Sequence, residues 1–220
     1  MEQRERRLTS VPAFCDPTSI PKLPRLIPAL HRNLPHAITA ARPLTHLSPN
    51  VLELDLLYSS LSEAPVETKG VTWEYINSLN LLVDWRAKIE AFTNPTERQW
   101  IRTEGVLQKM VACLPFVDSL WVKASYRGLV HLRITPLAPV TTNPHSIYHR
   151  LMDPHKGYLV LTHYPAIEIP DDEIISTTGA GDTLVGGLVA GLVNGEEENE
   201  YVKKALERAA RTMRSRRAVA

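Results

Sequence analysis

Cysteine is scarce in this chain, which contains only Cys15 and Cys113 among its 220 residues. Two cysteines are too few for a disulfide framework, and their spacing does not match a metal-binding motif. We therefore expect two buried thiols in a protein that resides in a reducing compartment.

An excess of charge of either sign is also absent. The 25 Lys and Arg residues nearly balance the 24 Asp and Glu residues, which leaves a formal net charge of +1 at pH 7. Such a balance gives no reason to expect binding to nucleic acid or to a membrane through bulk electrostatics. The composition therefore favours neither a nucleic-acid partner nor a membrane partner.

Long apolar segments and a secretory signal are missing as well. The longest apolar run, residues 183–193, is far shorter than the ~20 residues that a membrane-spanning helix needs. The start of the chain, residues 1–7, is charged and is not followed by an apolar core. We expect a soluble, cytoplasmic protein with a poorly ordered leader over residues 1–10 and one domain over residues 11–220.

Glycine is sparse, yet five of the 10 glycines lie between residues 176 and 192. This stretch begins Ser-Thr-Thr-Gly-Ala-Gly-Asp and continues as a small and apolar run. Two glycines around one alanine can turn tightly and direct several backbone N–H groups to one point, and a following helix adds its positive dipole end. The pattern predicts a phosphate-binding loop that leads into a buried helix. In the alternative interpretation Asp182 is an N-terminal cap and the small residues only permit close packing.

The longer string, in which Gly-Gly-Leu-Val follows the Asp after three residues, closely resembles the C-terminal signature of the ribokinase-like, or PfkB, family of sugar and nucleoside kinases. The resemblance implies that Asp182 is the catalytic base that activates the acceptor hydroxyl. It also implies that the backbone of Gly179, Ala180 and Gly181 forms an anion hole for the transferring phosphoryl group. Backbone donors fixed in advance suit this reaction, which depends mainly on positioning and electrostatic stabilisation.

A second motif lies at the start of a predicted helix over residues 49–58, with Ser48 as its expected cap. Asn50 and Glu53 are three residues apart and project from the same face of the first turn. An amide and a carboxylate are oxygen ligands that suit magnesium or its bound waters. The pair matches the Asn-x-x-Glu motif of the same family, which implies a role in holding the magnesium–phosphate arrangement, usually through water. The alternative is a capping pattern on a surface helix.

Two strand-like runs, residues 120–124 and 128–134, are separated by three residues and predict a β-hairpin. At this place the family has a Lys-Leu-Gly-x-x-Gly pattern whose backbone borders the nucleotide phosphates and ribose. The chain keeps Lys123 and Gly128 but lacks the middle glycine, because Ser125 stands in its place. The turn therefore has a serine, and not a glycine, at a position where the backbone of such a turn can require a positive φ.

The resemblance thus implies a nucleotide site to which Lys123 and Gly128 contribute together with Thr177 and Thr178. Three histidines in or just after the proline-rich segment 136–154 are the other candidate ligands. His145 and His149 are four residues apart and His155 follows, but the prolines argue against a long helix and a zinc site needs further ligands. We do not expect a metal site there.

The remaining pattern predicts a strand over residues 158–164, a helix over residues 96–114 and an amphipathic helix from Tyr201 to Met213. Together with a short strand over residues 11–14, these elements indicate an α/β fold. We expect a layered α/β/α arrangement with a mostly parallel sheet and helices on both faces, in which the N-terminal half of the usual ribokinase-like domain is missing.

By this resemblance the chain transfers the γ-phosphoryl group of ATP, with Mg²⁺, to a sugar or nucleoside hydroxyl. The long segment that contains the pair Asp84-Trp85 and ends in Leu114-Pro115-Phe116 is similar to what fungal kinases resembling pseudouridine kinase carry. This resemblance suggests the ribose 5′-hydroxyl of pseudouridine as acceptor. The alternative is a truncated or degenerate nucleotide-binding module without catalysis, or one subunit of a split kinase whose substrate-binding half is supplied by a second chain.

Overall fold

The computed structural model describes residues 13–32, 34, 44–63, 66–138, 143–152 and 157–216. The expected leader, the start of the strand predicted over residues 11–14, and His155 lie outside these residues. In the described part of the chain, no helix is long and apolar enough to cross a membrane.

In the described part of the chain, six strands form one sheet in the order β1-β2-β3-β4-β6-β5. The strands are β1 Phe14–Cys15, β2 His46–Leu47, β3 Ser119–Lys123, β4 Leu129–Thr135, β5 Ser146–Arg150 and β6 Tyr158–Tyr164. The runs of β-branched and aromatic residues at β3, β4 and β6 explain why these strands were predictable. The strand predicted over residues 158–164 is confirmed with the same bounds.

The parallel part of the sheet consists of β1, β2 and β3. Phe14 lies opposite His46, and His46 in turn lies opposite Ser119, with all three strands running in the same direction. This part gives the α/β character that the sequence predicts, and the α/β fold class is confirmed.

The other half of the sheet is antiparallel. The Ala124 amide donates to the Gly128 carbonyl at 2.8 Å, which closes the predicted hairpin between β3 and β4. β4 and β6 also run in opposite directions, since Gly128 lies against Tyr164 while Gly157 lies against Thr135. β5 pairs with β6 in antiparallel register. Among the described strands the parallel pairing is therefore confined to the first three, so the sheet is mixed and not mostly parallel as expected.

Eight α-helices are described. They are α1 Ile27–Arg32, α2 Val51–Ser62, α3 Val66–Ser78, α4 Val83–Thr93, α5 Gln99–Thr103, α6 Val106–Cys113, α7 Ala180–Asn194 and α8 Glu198–Met213. Short 3₁₀ turns occur at Ile20–Arg25, Thr96–Arg98, Ser125–Arg127 and Asp171–Glu173.

The single helix predicted over residues 96–114 is wrong in one respect, because it is broken into a 3₁₀ turn, α5 and α6. Gly105, with φ of 66°, adopts a left-handed conformation between the two α-helices. The apolar stripe that suggested one helix is nevertheless buried on both sides of the break, as at Trp100 and Met110. The spacing of the apolar residues therefore predicted correctly which side chains are buried. It did not predict the left-handed conformation of Gly105.

The described chain divides into two compact units. The first extends to Val122 and includes Val130–Thr162, and it therefore holds most of the sheet together with α1 to α6. Its core includes Trp121, which is fully buried and stacks on His131 with ring centroids 3.3 Å apart. The His131 ring in turn lies 2.8 Å from the Ser119 hydroxyl, so the polar atom is satisfied inside the apolar core.

The second unit comprises Lys123–Leu129 and the chain from His163 onward. It is dominated by the packing of α7 against α8. The amphipathic pattern predicted from Tyr201 to Met213 is confirmed, since Val202 and Ala205 are fully buried in α8. The Glu197 side chain caps this helix by accepting from the Glu200 amide at 3.2 Å.

Candidate active site

The loop before α7 is anchored to the end of α8. The amides of Ile175 and Ser176 both donate to the Met213 carbonyl, at 2.9 and 3.2 Å. An ion pair of 2.6 Å between Arg214 and Glu173 lies beside these bonds. These contacts satisfy a carbonyl at the end of α8, where helical carbonyls have no partner within the helix, and they fix where the next residues begin.

The turn into α7 is made at Gly179. Its φ of 80° and ψ of −7° are left-handed, a conformation in which a residue with a Cβ atom is strained. Its carbonyl accepts the Thr183 amide at 2.9 Å, so the helix starts directly after it. The first glycine of the motif is therefore explained by the backbone conformation of the turn.

Two backbone donors of this turn have no acceptor among the described residues. The Ala180 amide lies 3.4 Å from the Thr177 carbonyl, a long contact, whereas the amides of Gly179 and Gly181 have no acceptor among the described residues. A Cβ atom added at Gly181 would meet no atom within 4 Å. The turn thus presents amide donors beside open space at the positive end of a 15-residue helix.

Asp182 stands in the first turn of α7 and is exposed. Within the described part of the chain its carboxylate makes no hydrogen bond or ion pair. It is also not the N-cap, a position that Gly179 occupies, so the capping alternative for Asp182 does not apply. The carboxylate is therefore available to a molecule in solution, next to the amides of the turn.

The residue after it, Thr183, is buried and sets the orientation of this helical turn. Its hydroxyl lies 3.0 Å from that of Thr212 in α8. Sequence analysis missed this contact, because nothing in the spacing of two threonines 29 residues apart indicates that they meet.

Two further glycines of the motif serve helix packing. A Cβ atom added at Gly187 would lie 2.7 Å from the Cβ of Ala205, and one at Gly191 would lie 2.1 Å from the Cβ of Tyr201. The close approach of α7 to α8 therefore requires both glycines. The packing interpretation of the small residues is correct for these two positions.

Lys123 and Gly128 flank a 3₁₀ turn in the second unit, at the tip of the β3–β4 hairpin. Ser125, which stands where the family has a glycine, has φ of 55°. The expectation that this turn needs a positive φ is confirmed. Gly128 has φ of 91°, and an added Cβ atom would lie 2.0 Å from the Tyr164 carbonyl oxygen.

Asn50 and Glu53 form a reciprocal capping box at the start of α2. The Asn50 amide donates to Glu53 Oε2 at 2.8 Å, and the Glu53 amide donates to Asn50 Oδ1 at 2.9 Å. Asn50 is therefore the N-cap, and the prediction that Ser48 caps this helix is wrong by two residues. The Glu53 side chain is buried, with 2% of its surface exposed.

The histidines of the segment before β6 have separate partners in the first unit. His145 Nδ1 lies 3.2 Å from an Arg98 guanidinium nitrogen, and His149 packs on the Trp85 ring. Burial, and secondarily the charge of Lys88, lower the pKa of His149. Among the described residues no group of three or more His, Cys, Asp and Glu side chains could hold a metal ion.

The structure thus places most of the candidate residues in the second unit. This unit contains Lys123 and Gly128 as well as the segment Thr177–Asp182, which includes Thr178 and the Gly-Ala-Gly turn. Thr177 and Thr178 are exposed, and the Thr178 amide donates to the Ser176 hydroxyl at 3.1 Å. Asn50 and Glu53 belong to the first unit.

Comparison with known proteins finds a family match that lies mainly in the second unit. Residues 155–219 match the family described as pfkB family carbohydrate kinase. Among curated proteins, the chain is 25% identical over 198 residues to the pseudouridine-metabolizing bifunctional protein of Schizosaccharomyces pombe. It is 41% identical over 58 residues to the cytidine kinase of Thermococcus kodakarensis.

The matches cover unequal shares of the proteins. The first includes 90% of this chain and 24% of the fission yeast protein, and the second includes 24% of this chain and 21% of the archaeal enzyme. The chain therefore spans about a quarter, or less, of the length of these curated relatives.

Solved structures share the fold. The chain superposes on a sugar kinase structure from Clostridium perfringens with a TM-score of 0.51 and 14% identity, over 93% of this chain and 41% of that one. A probable sugar kinase from Rhizobium etli gives a TM-score of 0.50 and 13% identity, over 93% of this chain and 39% of that one. Residues 155–219 thus match the pfkB family of carbohydrate kinases, and the likeness to these two structures shows a common fold.

Proposed function

We propose that this chain is the catalytic part of an ATP-dependent phosphotransferase whose acceptor is a hydroxyl group of a sugar or nucleoside. One observation carries the proposal: an exposed carboxylate, Asp182, stands in the first helical turn beside the amides of Gly179 and Gly181, which no described residue engages. A carboxylate next to an anion site is unfavourable for phosphate binding alone, since the two negative charges repel. It is useful where a proton must be removed from an incoming hydroxyl.

In the proposed reaction the acceptor oxygen forms a bond to the γ-phosphorus of ATP while the bond to the β-phosphate bridging oxygen breaks, and ADP leaves. The hydroxyl proton passes to the Asp182 carboxylate. The amides of Gly179, Ala180 and Gly181 stabilise the negative charge of the transferring group. Because the backbone of the turn is fixed by Gly179 and by the anchor at Met213, these donors need no reorganisation during the reaction.

A glycine at position 181 is not required by any contact within the protein, and a bound nucleotide would explain it. Gly181 has no neighbour within 4 Å of an added Cβ atom and lies inside a helix, where alanine is more favourable. A ligand that approaches the backbone closely would account for a glycine there. We propose that the phosphates of ATP occupy this space and that Lys123, Gly128, Thr177 and Thr178 contribute to the same nucleotide site.

Magnesium fits this chain only in an indirect way. The capping box already uses Asn50 Oδ1 and Glu53 Oε2, so direct coordination by both side chains is not favoured. Glu53 retains a second carboxylate oxygen, which could accept from a metal-bound water. When bound, Mg²⁺ would neutralise part of the negative charge of the phosphates.

For the acceptor we propose the ribose 5′-hydroxyl of pseudouridine. The support is the likeness over 90% of this chain to a protein described as pseudouridine-metabolizing. The shorter likeness to a cytidine kinase also favours a nucleoside over a free sugar.

A direct assay tests the proposal. The chain would be incubated with MgATP and, in parallel, with pseudouridine, cytidine and ribose, while ADP and the phosphorylated product are measured. We expect turnover with pseudouridine that Asp182→Asn lowers by about 10² to 10⁴, the usual contribution of a general base. Turnover with every acceptor equal to the ATPase background would contradict the proposal.

A second candidate function is nucleotide binding without catalysis, including service as one subunit of a split kinase completed by a second chain. The capping box favours it, because the two side chains expected to assist magnesium are engaged with each other. Calorimetry with MgATP separates the candidates: binding without turnover supports the second. Turnover restored by adding a separate substrate-binding chain would support the split enzyme.

A further inference from the structure

A strained turn lies at the tip of the β3–β4 hairpin. Ser125 has φ of 55°, in the left-handed region that costs free energy for a residue with a Cβ atom. Gly128 follows in a conformation that glycine alone adopts readily, with φ of 91° and ψ of −139°. Two local bonds close the turn, from the Arg127 amide to the Ala124 carbonyl at 3.0 Å and from the Gly128 amide to the Ser125 carbonyl at 3.0 Å.

Local bonds of this kind do not by themselves select the strained form, because a short turn can relax while keeping them. A long-range side-chain contact also reaches this turn. His163, at the end of β6, places Nε2 2.8 Å from the Arg127 carbonyl oxygen, across 36 residues of sequence. A carbonyl oxygen only accepts, so Nε2 carries the proton and donates. His163 is almost fully buried, with 1% of its surface exposed, so the atoms packed around it restrict its movement.

The neighbouring residue, Tyr164, lies against the same turn through its backbone. The backbone of Tyr164 lies so close to Gly128 that no side chain would fit between them. The Tyr164 hydroxyl donates to Glu198 Oε1 at 2.8 Å, at the start of α8. The Tyr164 backbone therefore lies against the turn, whereas its hydroxyl bonds to α8 and not to the turn. All of these residues belong to the second unit.

We propose that His163 is a positioning residue for nucleotide binding: its Nε2–H···O=C bond to Arg127 holds the Lys123–Gly128 turn in the left-handed conformation at Ser125. The inference rests on the proposed function, in which this turn borders the nucleotide. The proposed role of His163 explains how this turn can form with Ser125 at the position where the family has a glycine. The bond from His163 stabilises a backbone conformation that serine resists.

A double-mutant cycle tests the proposal. In the full chain, we expect His163→Leu to weaken MgATP binding by about tenfold, the value of one buried hydrogen bond, while the KM for the acceptor changes less than twofold. Ser125→Gly removes the strain, so we expect it to bind MgATP at least as tightly as the wild type. In the Ser125→Gly background, His163→Leu should then cost much less than tenfold. An equal loss in both backgrounds would overturn the proposal.

Tyr164→Phe is the matched control, because it removes a hydrogen bond from the same strand end without touching the Arg127 carbonyl. We expect it to lower the unfolding temperature but to leave MgATP affinity within about twofold, since a bond outside the turn is lost. If Tyr164→Phe weakened MgATP binding as much as His163→Leu, His163 would be merely structural. If His163→Leu does not fold, His163→Gln keeps an N–H donor and should retain an affinity closer to wild type than His163→Ala does.

Amide hydrogen exchange without nucleotide separates this inference from the proposed function. We expect the Ala124 and Gly128 amides to exchange at least about tenfold faster in His163→Leu than in the wild type, and to be slowed again by Ser125→Gly. Unchanged exchange would overturn the inference even if MgATP binds. A wild-type chain that neither binds MgATP nor catalyses turnover would instead contradict the proposed function. In that case the exchange rates alone would show whether His163 holds the turn.

Discussion

The hydroxyl oxygens of Thr183 and Thr212 lie 3.0 Å apart, and both residues are buried. This contact joins the first turn of α7, which carries Asp182, to the last turn of α8, which anchors the preceding loop. The candidate catalytic carboxylate is therefore positioned from both sides by the same neighbouring helix. Five predictions test how the site and its surroundings are held.

The first prediction concerns this threonine pair. Thr183→Val replaces a hydroxyl by a methyl group of similar size and leaves Thr212 with only its bond to the Arg208 carbonyl. We expect the free energy of unfolding to fall by about 1 kcal/mol, the usual net value of such a bond. Chemical denaturation measures the change.

In the double variant with Thr212→Val, the loss should be smaller than the sum of the two single losses, since the partners are removed together. Thr178→Val, at an exposed position of the same loop, should leave stability unchanged. Strict additivity of the two buried substitutions would show that the hydroxyls do not interact.

The second prediction concerns the helix glycines. Gly191→Ala would place a methyl group 2.1 Å from the Tyr201 Cβ, so α7 and α8 must separate. We expect a loss of about 1 to 3 kcal/mol in stability, typical of overpacking. Gly186→Ala is the matched control, because an added Cβ atom there meets nothing within 4 Å. It should stabilise the helix by up to about 1 kcal/mol. Equal effects of the two substitutions in thermal unfolding would contradict the close-packing interpretation.

The third prediction separates the catalytic role of Asp182 from its effect on stability. Asp182→Asn should lower turnover by about 10² to 10⁴ and leave the unfolding temperature nearly unchanged, because the side chain is exposed. Asp172→Asn changes the same charge at another exposed position and should leave turnover near wild type. A comparable loss in both variants would indicate a general charge effect in place of a catalytic base.

The fourth prediction distinguishes a cap from a magnesium ligand. Asn50→Ala removes the acceptor of the Glu53 amide and should cost about 0.5 to 2 kcal/mol in stability. Asn50→Asp keeps an acceptor at the N-cap and should be close to wild type in denaturation. If capping is the only role of Asn50, the magnesium concentration for half-maximal turnover will be the same in Asn50→Asp and wild type. A shift of tenfold or more would instead assign Asn50 to the metal.

The fifth prediction concerns pH. Burial, followed by the charge of Lys88, lowers the pKa of His149 below its usual value of 6.5. Below that value the unfolded chain takes up a proton that the folded His149 resists, so the unfolded state binds more protons and stability falls as pH falls. The stabilising contribution is present above pH 6.5 and is lost as pH drops through the pKa of the folded state.

We therefore expect the difference in unfolding temperature between wild type and His149→Gln to narrow as pH falls below 6.5. Lys88→Met removes the neighbouring charge, so it should make the stability of the chain less sensitive to this pH change. Parallel curves for wild type and His149→Gln between pH 5 and 8 would contradict the lowered pKa.

Much of the local structure was predictable because it depends on neighbours in sequence. The short apolar and β-prone run of residues 158–164 predicted β6, and the 3.6-residue period predicted α8. The break at Gly105 was missed because one glycine inside an apolar stripe does not reveal whether its backbone turns left-handed. The cap at Asn50 was misplaced because Ser48 and Asn50 are both good N-caps and only the helix geometry distinguishes them.

The amino-acid sequence alone determined the α/β class and a glycine turn followed by an aspartate at the start of a helix, because backbone conformation and periodicity are local properties. Only the tertiary structure decided the role of each glycine. Gly179 makes the turn, and Gly181 lies beside open space. Gly187 and Gly191 allow α8 to pack closely against α7. The tertiary structure also brought Thr183 to Thr212 and His163 to Arg127, 29 and 36 residues apart. Such contacts depend on how helices and strands pack, and no spacing along the chain specifies them.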